Sequence, residues 1–286
     1  MAFTGGVIAG GGGEGNVEED ANDAVFADSD RIFPDRRVVA FYGAPQDAAL
    51  GALGDGKPGK VALRLREQAD AYDRPSRPVV PALELISTIV HTDPGEDGLY
   101  RLQQDEQVIK RYLKLARSTG AILLLDIQPG HASFMEEVER LEPYLREPDV
   151  GLALDPEWNL GPTGGVPGEE FGSMDADEVN EVSEYLQGLV DEGDLPQKLL
   201  VVHQFTDNMI SNKQNLLARP DVAVILNVDG VGDPPNKIAK YEELRTPAPA
   251  EPLPTGFKLF YEEDTGLMQP QDVLRLRPQP DFVVYE

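Results

Sequence analysis

Cysteine is absent from the 286-residue sequence, and histidine and tryptophan are rare, with three residues and one residue respectively. The absence of thiols excludes a disulfide scaffold, a cysteine nucleophile, an iron–sulfur cluster and a thiolate zinc site. Basic residues are also few, since 25 Lys and Arg stand against 51 Asp and Glu for a net charge of −26. Because phosphate binding needs clustered basic side chains, no nucleic-acid partner is expected.

Long apolar segments are missing as well. No run of about 18 apolar residues occurs, so we expect no transmembrane segment. Residues 1–37 are rich in glycine and acidic residues and have no hydrophobic periodicity, which predicts a flexible N-terminal arm or linker ahead of one domain at 38–286. The arm lacks the basic and apolar regions of an intact signal peptide. Its composition resembles the stalk that remains after an export signal has been removed.

The rest of the chain alternates short apolar runs with longer amphipathic segments. The runs are nearly continuous in apolar residues, as in parallel strands that are covered on both faces. These predicted strands are Val38–Tyr42, Val79–Ile86, Ala121–Ile127, Val150–Leu154, Lys198–Gln204, Val222–Val228, Phe257–Tyr261 and Phe282–Tyr285. The amphipathic segments predict helices over 59–72, 105–119, 131–146, 175–190, 207–218, 235–244 and 270–276.

This alternation predicts an α/β fold with a single (β/α)8 barrel of the TIM type. An open doubly wound sheet is the alternative, but the Gly-x-Gly-x-x-Gly turn that is typical of one is missing after the first strand. The last run reaches Tyr285 and no amphipathic segment follows it. We therefore expect the eighth helix to be missing, with the N-terminal arm in its place or with the barrel seam partly open.

Polar residues cluster where the predicted strands end, which is the face on which barrel enzymes place their chemistry. A carboxylate or a histidine occurs at most of these ends, so an active or binding site is predicted at this mouth. The candidate substrate-binding residues are Tyr42, Glu84, Asp126, Gln128, Asp155, Trp158, His203, Gln204, Asn227, Asp229, Tyr261 and Glu286.

Paired carboxylates at a barrel mouth favour glycoside hydrolysis, in which one carboxyl protonates the leaving oxygen and a second acts as nucleophile or base. We predict Glu157 as the general acid/base and Glu262 or Glu263 as the nucleophile. The arrangement is similar to that of many barrel glycosidases, which place two glutamates after strands four and seven. Those families usually have Asn-Glu after strand four, whereas this sequence has Asp-Pro-Glu ending at Glu157.

Two alternatives remain open at the same mouth. The first is a hydrolase that depends on Mg²⁺, Ca²⁺ or Mn²⁺, because hard oxygen donors with one imidazole suit these ions. Its ligands would be Asp126, Asp155, Glu157, His203 and Asp229. The second is a barrel that binds carbohydrate without catalysis. Catalytic zinc is disfavoured because no His-Glu-x-x-His motif occurs, and a serine hydrolase because no Gly-x-Ser-x-Gly motif occurs.

Five segments of the sequence carry a family resemblance, namely Phe41–Pro45, Leu83–Ile86, Asp126–His131, Asp149–Trp158 and Gly256–Asp264. They resemble segments of an uncharacterised family of exported proteins and lipoproteins from actinobacteria and related bacteria. The resemblance extends from about Arg37 to Glu286. It implies an extracellular or cell-surface location, with the export signal removed, and it carries over no catalytic residue, since no activity is established for that family.

Overall fold

A computed structural model describes residues 25–245 and 253–286, and the predicted barrel is confirmed. Parallel pairing of the first strand with both the second and the last closes the sheet. The barrel strands are β1 Arg37–Gly43, β2 Val79–Val90, β3 Ile122–Ile127, β4 Val150–Leu154, β5 Lys198–Gln204, β6 Val222–Val228, β7 Thr255–Leu259 and β8 Phe282–Tyr285.

Helices follow most of the strands, as the sequence predicts. They are α1 Pro58–Asp70, α2 Glu106–Ser118, α3 Phe134–Leu145, α4 Ala176–Gly193, α5 Pro234–Leu244 and the short α6 Pro270–Val273. Helix α4 begins with a capping box, in which Asp175 caps the first turn and Glu178 bonds back to the Asp175 amide. Within the described residues, no helix combines the length and the apolar character needed to cross a membrane.

The prediction of a helix over 207–218 is wrong. Two single 3₁₀ turns form there instead, and Ile210–Ser211 pairs in parallel with Met174–Asp175. Asn212 adopts a left-handed backbone conformation with φ 54°, which an α-helix does not accommodate. Met209, Ile210 and Leu216 have the spacing of an apolar helix face, but they belong to an irregular segment whose side chains are buried.

The barrel strands bury both faces, and their alternate residues divide between two apolar clusters. Outward residues such as Leu83 and Leu125 pack with helix residues such as Leu65 in the larger cluster. Inward residues form the smaller cluster and fill the lower barrel, namely Val38, Ala40, Val80, Ala82, Ile122, Leu124, Ala153, Leu199, Val201, Ala223, Ile225, Phe282 and Val284. The mouth therefore lies above a solid apolar floor.

The described end of the N-terminal arm lies at the opposite end of the barrel from the mouth. Ile32 and Phe33 are buried in the inward apolar cluster, and their amides donate to the Gln197 side chain at 3.0 and 2.9 Å. Arg31 contacts Asp221 at 2.8 Å. Residues 25–36 thus cover the base of the barrel, while the predicted flexible part at 1–24 lies outside the described residues.

The seam between β8 and β1 is fully paired, and aromatic side chains cover its outer surface. Tyr261 stacks on Tyr285 with 5.0 Å between ring centroids, and the hydroxyls of Tyr72 and Tyr285 lie 2.7 Å apart. Gln68 of α1 donates to the Tyr285 hydroxyl and accepts from Tyr261. These contacts bury the face on which an eighth helix packs in a complete barrel.

Candidate functional site

Each barrel strand contributes an inward polar side chain at the level of the mouth, either within the strand or directly after its carboxyl end. Strand alternation explains this arrangement, because seven of these residues lie two positions beyond an inward apolar residue and Lys258 lies two positions beyond the inward Gly256. Lys258 is the one member that the sequence analysis does not include. The ring consists of Tyr42, Glu84, Asp126, Asp155, His203, Asn227, Lys258 and Glu286.

His203 occupies the middle of a buried hydrogen-bonded chain. Its Nδ1 lies 2.9 Å from Asp229 Oδ2, and its Nε2 lies 2.9 Å from Glu84 Oε1. Asn227 Nδ2 donates to Asp229 Oδ1 at 2.5 Å. Burial alone would lower the pKa of His203, but Asp229, Asp155 and Glu84 raise it well above its ordinary value.

A second group of hydrogen bonds holds Asp155. The Tyr42 hydroxyl donates to Asp155 Oδ2 at 2.8 Å, and Gln128 Nε2 donates to the Tyr42 hydroxyl at 2.9 Å. Gln128 Oε1 in turn accepts from the Val90 amide. The orientation of Asp155 is therefore fixed by a side chain of β1 and one directly after β3, and the predicted residues Tyr42, Gln128 and Asp155 lie together.

Lys258 is the buried cation of the mouth. Its Nζ lies 2.7 Å from Glu286 Oε2, 3.3 Å from Asp229 Oδ2 and 3.8 Å from the centroid of the Tyr42 ring. Burial would lower the pKa of Lys258, but Glu286 and Asp229 raise it well above its ordinary value, so it stays charged. Burial would raise the pKa of Asp229, but the contacts with His203 and Lys258 lower it below its ordinary value.

Replacement of Lys258 by Met is expected to lower the free energy of unfolding by about 3 kcal/mol, because it leaves the buried Asp229 without its ammonium partner. Urea denaturation measures the change. Lys110→Met is the matched control, since Lys110 forms an exposed helix-surface pair with Glu106 and its loss is expected to have no measurable effect. Equal stability of the two variants would mean that the ion pair of Lys258 with the buried Asp229 does not stabilise the fold.

Above the ring lies a cleft of about 420 Å³. Its polar lining includes Glu157 and Asp229, and the Oε2 atom of Glu157 is buried without a hydrogen-bond partner among the described residues. Burial raises the pKa of Glu157 well above its ordinary value, and the charges of Asp155 and Asp229 act in the same direction. Glu157 is therefore a protonated carboxyl of the cleft and Asp229 an ionised one. Glu286, which also lines the cleft, forms an ion pair with Lys258.

Aromatic side chains form much of the cleft wall. Trp158 and Phe171 pack edge to face with centroids 6.5 Å apart, and Phe171 packs in the same way on Phe205 at 5.1 Å. Tyr42 and Phe260 line the same cleft. Phe171 is 63% exposed and is continuous with Trp158 and Phe205, and an apolar patch of this kind at a cleft is a candidate ligand surface.

Four predicted site residues belong neither to the ring nor to this cleft. Gln204 faces outward and donates to the Leu244 carbonyl of α5, and Tyr261 belongs to the seam. Glu262 and Glu263 are exposed and line a separate pocket beside Arg64. The structure thus places Glu157 in the cleft and Glu262 and Glu263 in another pocket, because β7 ends at Leu259 and not at Tyr261 and its inward position is Lys258.

The predicted metal ligands are only partly brought together. Ligand atoms of Glu84, Asp126 and His203 lie within 4.8 Å of one another, and Glu84 was not in the predicted set. Asp155 Oδ1 lies 3.9 Å from His203 Nδ1, the nitrogen that Asp229 already engages. Glu157 and Asp229 line the cleft above this group.

The mouth thus combines a protonated carboxyl, an ionised carboxyl and an aromatic wall around one cavity. Two carboxyls whose pKa values are shifted apart are the arrangement that general acid catalysis requires. The cavity volume falls within the range of small-molecule and cofactor sites. Comparison with models of known protein families gives no match, and comparison with curated protein sequences gives none either.

Proposed function

We propose that the protein is a glycoside hydrolase in which Glu157 is the general acid and Asp229 is the second catalytic carboxylate. The observation that carries this proposal is the single cleft that both carboxyls line, walled by Trp158, Phe171 and Phe205. Aromatic faces of this kind stack on the apolar C–H surface of a sugar ring. The proposal keeps the predicted role of Glu157 and replaces its partner.

The contacts of each carboxyl support its role. Glu157 has a buried Oε2 that no described residue engages, so this atom is available to protonate a glycosidic oxygen. Asp229 accepts bonds from Asn227 and His203 and contacts Lys258, which fixes its position and favours its negative charge. An ionised, held carboxylate is what a nucleophile or a base needs.

The substrate class follows from the openness of the cleft. The wall residue Phe171 belongs to the long connection between β4 and α4, so the cleft has a loop rim that can accommodate a chain of sugars. With the family resemblance of the sequence, this favours an extracellular or cell-envelope polysaccharide as substrate and an extracellular or cell-surface location.

The test is turnover of a panel of polysaccharides and aryl glycosides, measured by the release of reducing ends. Asp229→Asn is expected to lower the rate by at least about 100-fold. Glu169→Gln is the matched control, because Glu169 is an exposed carboxylate of the rim connection and its loss is expected to leave the rate unchanged.

Two results would contradict the proposal. Binding of a glycan without turnover would make the protein a non-catalytic carbohydrate-binding barrel. A large loss of activity in Glu262→Gln or Glu263→Gln, with full activity in Asp229→Asn, would mean that Glu262 or Glu263 is the second catalytic carboxyl, as the sequence predicts.

A further inference from the structure

Below the cleft lies a second group of side chains with a different chemistry. Glu84 of β2, Asp126 of β3 and His203 of β5 each offer one ligand atom, and these atoms lie within 4.8 Å of one another. All three side chains are fully buried, at 0% exposure. Three strands thus converge on one point in the barrel interior, held by the sheet itself and not by loops.

Asp126 is the unusual member of the group. Both of its carboxylate oxygens are buried, and neither accepts a hydrogen bond from any residue in the described ranges 25–245 and 253–286. Glu84 Oε2, which is also buried, has no partner there either. Buried polar atoms in folded proteins are nearly always satisfied, so these oxygens indicate that a further partner completes the group.

The orientation of His203 fits a cation as that partner. Nδ1 lies 2.9 Å from Asp229 Oδ2 and Nε2 lies 2.9 Å from Glu84 Oε1, so each of the two contacts carries a proton. Binding of a cation would release the Nε2 proton and free that lone pair to ligate the ion, while Nδ1–H still donates to Asp229. A carboxylate that accepts from one nitrogen while the other binds metal is the usual arrangement around ligating histidines. Asp229 would then orient the ligand without binding the ion itself.

The charge of the barrel interior points the same way. Four carboxyls there are at most 5% exposed, and they belong to Glu84, Asp126, Asp155 and Asp229. Lys258 and His203 are the basic side chains in contact with them, and Lys258 is shared with Glu286. A divalent ion beside Asp126 offsets the charge that these two residues leave unbalanced.

We infer that the barrel binds one first-row divalent metal ion, with the carboxylates of Glu84 and Asp126 and Nε2 of His203 as its protein ligands. Two carboxylates with one imidazole suit Mn²⁺ or Zn²⁺ better than Mg²⁺ or Ca²⁺, which prefer oxygen alone. The ion replaces the direct contact between His203 and Glu84. This site is independent of the proposed hydrolase activity, because metal binding can be measured without any substrate.

The experiment uses the full chain after dialysis against a chelator. Titration with Mn²⁺, followed by electron paramagnetic resonance and calorimetry, is expected to give one bound ion per chain and a raised melting temperature. Asp126→Asn is expected to weaken Mn²⁺ binding by about 100-fold or more and to abolish the thermal shift. Glu84→Gln is expected to do the same, and Glu169→Gln, on the exposed rim, to bind like the wild type.

The inference is overturned if the dialysed wild type binds neither Mn²⁺ nor Zn²⁺ stoichiometrically. If Asp126→Asn is then at least as stable as the wild type, Asp126 carries a proton in place of a metal contact, because Asn imitates a protonated Asp. Unchanged Mn²⁺ affinity in Glu84→Gln would overturn it as well, and this variant decides the question if Asp126→Asn does not fold.

Discussion

Glu157→Gln is expected to lower kcat by about 10²–10⁴-fold on glycosides with poor leaving groups, with KM little changed. Gln keeps the shape of the side chain but cannot deliver a proton to the departing oxygen. Since burial raises the pKa of Glu157, the wild-type carboxyl holds this proton at neutral pH. The measurement is steady-state turnover of wild type and variant on one glycan with a series of leaving groups.

The leaving-group series separates acid catalysis from a structural effect. The leaving group of a dinitrophenyl glycoside is a stabilised phenolate anion that needs no proton. The variant is therefore expected to break this glycosidic bond at close to the wild-type rate. An equal loss on all leaving groups would mean that Glu157 only positions the substrate. Full activity on alkyl glycosides would remove it from the mechanism altogether.

Gly43→Ala is expected to destabilise the fold by about 4 kcal/mol, because it combines backbone strain of about 1–3 kcal/mol with overpacking of similar size. Gly43 ends β1 with φ 135°, a conformation that side chains rarely adopt. A Cβ atom there would lie 2.4 Å from the Leu50 carbonyl oxygen and 2.9 Å from the Gly51 carbonyl carbon. Both neighbours are backbone atoms, so neither can rotate away.

Urea denaturation of Gly43→Ala beside Gly59→Ala measures this effect. Gly59 is an exposed residue in the first turn of α1, and a Cβ atom there meets no other group within 4 Å. Its substitution is expected to leave stability unchanged or to raise it by up to about 1 kcal/mol. If Gly43→Ala unfolded within about 1 kcal/mol of the wild type, the close approach of β1 to the Gly51 loop would not be a tight constraint.

The barrel could be predicted from the sequence because every strand is buried on both faces. Such strands appear as short apolar runs, and the bounds of β4, β5, β6 and β8 match the runs that the sequence contains. The helices could be predicted from their amphipathic periodicity and their caps, such as the Asp175 capping box. The helix predicted over 207–218 is wrong because the spacing of apolar residues does not reveal the strand pairing of Ile210–Ser211 or the left-handed backbone of Asn212.

The candidate site was only partly predictable, since a register error of two residues changes which side chains lie at the mouth. The apolar run in the sequence extends to Tyr261 and so favours Glu262 and Glu263, whereas β7 ends at Leu259. The alternation of Gly256 and Lys258 with Phe257 and Leu259 was the available signal for the inward lysine. Pairing partners such as Asp229 with Lys258 depend on strands that are distant in sequence and could not be predicted from it.

The segment at the base of the barrel has a consequence for the order of folding. Ile32 and Phe33 lie immediately before β1 in the chain, yet their amides bond to Gln197, directly before β5, and Arg31 reaches Asp221, directly before β6. These contacts join residues that are 164 to 190 positions apart in the sequence. Because contacts of such long range form slowly, we expect the segment to dock late in folding, once the starts of β5 and β6 have reached the base of the barrel.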